Sequence, residues 1–141
     1  MHAFVIAGAT LLGLSVGAMA AEPPNLVGDW TRSVLSLVQV GDHPGYPPAA
    51  RPRFSNGPAQ DYKIKIDKQE GSSFSGTLHG PAGVNPQTII GTFQPDGQHF
   101  VFATQEDTGN GEATSDELQY CWTTSTARFL STGCTTYKRN K

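Results

Sequence analysis

Glu117-Leu118-Gln119-Tyr120-Cys121-Trp122-Thr123-Thr124, followed after a short break by Leu130-Ser131-Thr132-Gly133-Cys134-Thr135-Thr136-Tyr137-Lys138, decides the fold. Both runs alternate, and both are rich in β-branched and aromatic residues, as half-buried strands are. Folding the chain about Thr126-Ala127-Arg128-Phe129 brings Cys121 opposite Cys134. The same register sets Glu117 against Lys138 and Asp116 against Arg139, two opposite-charge pairs that played no part in choosing it. Leu118, Tyr120 and Trp122 then share the core face with Thr135 and Tyr137, and Gly133 leaves room for the Trp122 indole. Opposed cysteines on antiparallel strands satisfy the short Cα separation a disulfide needs, so a Cys121–Cys134 bridge is expected.

Outward from this hairpin the same period recurs. Tyr62, Ile64 and Ile66 alternate with Lys63, Lys65 and Asp67, so one side meets a core and the other water. Lys68-Gln69-Glu70-Gly71 turns that run back into Phe74-Ser75-Gly76-Thr77-Leu78. Gln94-Pro95-Asp96-Gly97-Gln98 reads as a type I turn with a Gly bulge, joining Ile89–Phe93 to Phe100–Ala103. That ribbon carries apolar groups on both faces, so its outer side calls for a loop or a second copy of the chain.

No stretch past the N-terminal segment keeps a helical period. Runs at 27–40, 62–67, 73–79, 87–93, 98–105, a weak one at 112–114, 117–124 and 130–138 predict about eight strands. The expectation is an all-β domain: a single eight-stranded antiparallel up-and-down barrel, whose closure removes both sheet edges. Gly41–Gln60 stands apart, with Pro44, Pro47, Pro48, Pro52 and Pro58, and reads as a lid or a partly disordered loop. Glu106–Glu112 has oxygen ligands beside glycines but not the spacing of a calcium loop, and reads as a solvated turn.

Phe4–Val16 is an uncharged apolar run, and Ala18-Met19-Ala20 supplies the small residues a signal peptidase accepts. Residues 1–20 therefore read as a signal peptide and 21–141 as the mature barrel domain, secreted or periplasmic. Only Met1-His2-Ala3 precede the apolar run, without Lys or Arg, which places the expected start of translation upstream. Export also favours oxidation of the cysteines. With 10 Lys and Arg interspersed among 12 Asp and Glu, the chain has no nucleic-acid footprint and no polybasic membrane patch.

Gly28-Asp29-Trp30 at the start of the first strand resembles the Gly-x-Trp signature of the calycins, which include lipocalins, avidins and some secreted bacterial protease inhibitors. Gly76-Thr77-Leu78 and Gly91-Thr92-Phe93 are similar to strand centres of avidin-like proteins. The resemblance implies an eight-stranded up-and-down barrel, with Lys138 or Arg139 packed over Trp30. It carries no ligand across. Biotin sites use several tryptophans, whereas this chain has Trp30 and Trp122, and a biotin-binding set does not map onto it.

Catalytic patterns are missing from the mature sequence: no Gly-x-Ser-x-Gly elbow, no phosphate loop, and His43, His79 and His99 in no metal-ligand spacing. The expectation is a binding protein rather than an enzyme, with no cofactor and no metal. In one reading a small, mainly apolar ligand enters the barrel mouth under a 41–60 lid. Tyr46, Arg51, Arg53 and Phe54 supply aromatic contact and a cationic anchor, and inward-pointing Trp122 forms a wall. In the other the barrel is a rigid platform, and loop 41–60 or Glu22-Pro23-Pro24-Asn25 engages a partner protein. A homo-oligomer is compatible with either.

Overall fold

The computed structural model describes residues 21–43, 46–58, 61–81 and 84–141, so the expected signal segment lies outside the described residues. Nine strands follow one another: β1 (Gly28–His43), β2 (Tyr46–Pro58), β3 (Lys63–Glu70), β4 (Ser73–His79), β5 (Gln87–Phe93), β6 (His99–Ala103), β7 (Asp107–Ala113), β8 (Glu117–Ser125) and β9 (Phe129–Arg139). Every neighbouring pair is antiparallel, and β1 pairs with β9 to close an up-and-down barrel of eight strands, with β2 outside it. This is the architecture that the calycin resemblance implied.

The last hairpin keeps its expected register: Cys121 opposes Cys134 and Glu117 opposes Lys138. The cysteines are bonded on the outer face, with Cα atoms 4.0 Å apart. Lys138 pairs with Glu117, but Arg139 leaves Asp116 to its backbone and turns under the barrel. There its guanidinium lies 4.4 Å over the Trp30 ring and donates to the carbonyls of Ser115, Val27 and Asn25. Trp30 is fully buried and donates from Nε1 to the Leu26 carbonyl at 2.9 Å. Gln69 holds the same segment from the other side, accepting from Leu26 N and donating to the Pro24 carbonyl. Residues 21–27 are thereby tied across this end of the barrel, which argues against Glu22–Asn25 as a free insertion segment.

Aromatic rings fill the interior. Phe74, Phe93 and Phe100 meet edge to face at 5.6–5.9 Å, and Tyr120 packs against Phe102, Trp122 and Tyr137. Room for the rings comes from inward glycines on neighbouring strands. A Cβ on Gly91 would enter the Phe74 ring, one on Gly109 the Phe102 ring, one on Gly111 the Phe100 ring and one on Gly133 the Trp122 ring. Tyr62, Ile64, Ile66, Phe74, Leu78, Leu118, Tyr120 and Trp122 are all buried in this core, each such side chain contributing about 1.5–3 kcal/mol.

Three expectations are corrected. The run 106–112 is not a solvated turn: β7 occupies most of it, and its central inward positions are Gly109 and Gly111, filled from next door by rings. The Gly41–Gln60 segment is not an irregular lid. β1 continues as a strand to His43, with irregularities around Gly41, and β2 returns along it with Phe54 opposite Val38 and Asn56 opposite Ser36. Proline suits a strand bonded on one edge alone, since it has no N–H to offer a further strand. The apolar outer face of the β5–β6 ribbon also lacks the expected cover among the described residues, and Ile90 and Val101 stay about half exposed.

Candidate functional site

Arg32 marks the place where the barrel wall changes partners. Below it β1 pairs with β3 through Gly28–Thr31, and above it β2 takes over the same edge from Val34 upward. A bulge at the same height lets Ser33 drop out of the β9 register. Counting by twos from buried Trp30 turns Arg32 inward. Its guanidinium sits 4.1 Å over the Tyr62 ring, with Tyr137 at 5.4 Å and Trp122 at 5.7 Å, and Nε donates to the Tyr137 hydroxyl at 3.2 Å. A cation so far from water is stabilised by such ring faces and by hydrogen bonds to its N–H groups.

Above this cation the barrel opens. Arg32 forms part of the lining of a cavity of about 40 Å³, together with Tyr62, Gln87, Phe102, Asp107, Tyr120, Trp122, Thr124 and Ser131, and His43, Glu106 and Phe129 stand at the rim. That is space for a few water-sized atoms, not for an apolar molecule of drug size. Hydroxyls and carboxylates are chained around it: Ser131 Oγ donates to Thr124 Oγ1 at 3.0 Å, and Thr124 donates to Asp107 Oδ1. Burial pushes the Asp107 carboxyl above its usual range. The negative charge of Glu106 pushes the same way, while the Thr124 hydrogen bond, His43 and Arg32 oppose the rise.

The rim is a second polar chain. His43, at the end of β1, meets Glu106 Oε2 at 2.9 Å, and Gln87 Nε2, at the start of β5, donates to the same oxygen at 3.0 Å. The His43 ring also packs on Phe129 at 4.8 Å between centroids. The end of β1, the start of β5 and the turn before β7 are thus linked across the mouth.

Of the residues singled out in the sequence, Trp122 lines the cavity. Arg51, Arg53 and Phe54 project from β2, and Phe54 is three-quarters exposed. Tyr46 opens β2 opposite His43 at the tip of the hairpin. Arg32, His43, Glu106 and Asp107 were not anticipated as a group. His43 read as a loop histidine and the two acids as part of a turn. The alternation that turns Trp30 inward turns Arg32 inward as well, whereas nothing local joins residues 32, 43 and 106.

No protein-family model matches this chain, and no curated protein matches it. Among solved structures it is similar to an S-type phycobiliprotein lyase, CPES, from Guillardia theta, at 18% identity and a TM-score of 0.34, over 82% of this chain and 89% of that one. The calycin-like character of the fold lies in the closed eight-stranded barrel and in Arg139 stacked on Trp30.

Proposed function

We propose that this chain is an exported binding protein that holds a small molecule by a polar group at the open end of its barrel, without chemistry. The carrying observation is the cavity above Arg32, where a buried cation, two carboxylates, two hydroxyls and aromatic walls converge in one concave site. The packed interior favours a polar group at the mouth over the mainly apolar ligand expected from a barrel of this kind. Trp122 is the wall of that site in this reading. A signal at residues 1–20 and the Cys121–Cys134 bridge support a secreted or periplasmic setting. Native mass spectrometry of protein isolated from its own host tests the reading: a small-molecule adduct is expected, and Asp107→Asn should lose it. Adduct-free protein, isolated instead with a protein partner, would sink it.

One observation favours a second reading. β2 is bonded on one edge, carries Arg51, Arg53 and exposed Phe54, and contains no acidic residue from Tyr46 to Pro58. Such a strand suits a partner protein with an acidic surface. Phe54→Ser, with the open end untouched, separates the two, because it should abolish partner capture and spare small-molecule binding.

A further inference from the structure

We infer that the free edge of β2 takes up an extended acidic segment of a partner protein as an added strand, paired along residues 53–57. This rests on the second reading above, in which β2 meets a partner, and names the partner's local chemistry.

The backbone gives the first argument. β2 has one neighbour, β1, so its far edge presents peptide groups that no strand among the described residues pairs. In an antiparallel ladder alternate residues turn both N–H and C=O to the same side. Pro58, in register opposite Val34, has no N–H, and proline fits a ladder where the missing donor would point away from the neighbouring strand. Phe54 and Asn56 lie four and two residues earlier in the same unbroken register, so their N–H and C=O groups also turn to the free edge. Pro52 and Pro58 close the run at either end. What lies between them is a proline-free slot that suits one short added strand and does not extend along the whole edge.

The side chains decide what kind of segment fits. Arg53 lies opposite buried Gln39 and Phe54 opposite Val38, so the two project from opposite faces of the hairpin. Arg51 and Arg53 are exposed, and the ion pairs among the described residues use neither. Residues 46–58 contain no Asp or Glu, the facing run 34–41 of β1 is uncharged, and Asp42 stands beyond it at the tip. The edge is therefore positive. A second copy of β2 would gather four arginines on one short ladder with no carboxylate among them, whereas an acidic strand is drawn to it. Phe54 is three-quarters exposed, so the residue set against it is apolar, and the next one, set against Arg53, is an acid.

The test is an NMR titration of the oxidised mature chain, labelled with nitrogen-15, at pH 7 and constant ionic strength. The probes are the capped peptide Thr-Thr-Val-Glu-Thr-Glu-Thr, its counterpart with both Glu replaced by Lys, and a copy of the first N-methylated at Val. Saturable shifts at the amides of Phe54 and Asn56 are expected with the acidic peptide, at least ten-fold weaker with the other two. Arg53→Glu should weaken binding at least five-fold, Arg53→Lys should stay within two-fold, and Lys68→Gln, on β3, should change nothing. Equal binding of the Lys peptide would overturn the acidic chemistry and keep β2 as a partner edge. Undiminished binding of the N-methylated peptide would overturn strand addition, because its Val has no N–H to give Phe54. Shifts of the same amides on raising the protein concentration alone would assign the edge to a second copy and overturn the inference. Silence with the acidic peptide would overturn it too, and capture by Phe54→Ser decides separately whether β2 meets any partner.

Discussion

Asp107 is a carboxylic acid that the fold makes reluctant to ionise, and the sign of its effect on stability follows. Its folded pKa lies above the ordinary 3.8, so the folded state holds the proton more tightly than the unfolded one. At neutral pH its ionisation therefore works against folding. The burden lifts as pH falls through the folded value and is gone below 3.8. Asp107→Asn keeps an oxygen for Thr124 and removes the charge, so it should raise Tm at pH 7 and give no gain near pH 3, as calorimetry at both values will show. Asp96 behaves oppositely. Its exposed carboxylate accepts from the N–H groups of Gln98 and His99 and from the His99 ring, which hold it down at about 2. That stabilisation is present above 3.8 and is lost as pH falls toward about 2. Denaturant midpoints should fall across this window in the natural protein, and less in Asp96→Asn. At the closed end Arg139→Lys tests the fork: one ammonium cannot reach three carbonyls and cover Trp30 together. A loss of about 1–3 kcal/mol is expected by urea unfolding.

At the scale of the element, β7 shows why a strand can be nearly silent in sequence. Its central inward positions, Gly109 and Gly111, bury no side chain of their own, and Phe102, Phe100 and Tyr120 supply the apolar volume from the strands on either side. The alternation that marks a strand is present in space and missing in the chain. Gly111→Ala should be costly, because its Cβ would lie 2.2 Å from the Gln119 carbonyl oxygen and 2.6 Å from Tyr120 Cβ. Backbone cannot step aside cheaply, and a loss of about 2–4 kcal/mol is expected. Asn110→Ala, exposed on the same strand, should stay within about 0.5 kcal/mol. Equal effects of the two in denaturant unfolding would refute the ring-in-glycine account.

For the whole molecule the question is what β2 contributes, since the barrel closes without it. β1 meets β9 from Trp30 to Gly41 and β3 from Gly28 to Thr31, and neither ladder includes β2. Replacing residues 45–58 with a short Gly/Ser linker should leave a folded chain with its β-type far-UV spectrum. It would also bare the edge of β1 from Val34 upward, an open template for pairing with another chain. Sedimentation velocity should therefore show more self-association than in the full chain. A shortened chain that no longer folds would make β2 part of the barrel's stability rather than a cover for its edge.

How far the sequence carried depends on where each feature keeps its cause. The hairpins at 68–71, 94–98 and 126–129, the Cys121–Cys134 bridge and the inward set from Tyr62 to Trp122 rest on turn chemistry and period-two alternation, which are local, so the sequence by itself determined an antiparallel barrel. Gly28-Asp29-Trp30 carried the same conclusion by resemblance, and Arg139 stacked on Trp30 bears it out. β2 was illegible because proline marks irregular chain and edge strands alike; it takes β1's free upper edge to decide between them. The open-end site was illegible for a different reason. Trp122 was found because its own strand turns it inward, whereas Arg32 and His43 come from β1 and Glu106 and Asp107 from the turn into β7. Their separation is set by barrel closure and by the bulge at Ser33. Only the tertiary structure joins them, because proximity across a barrel depends on register and curvature summed around all eight strands, and no single segment encodes that sum.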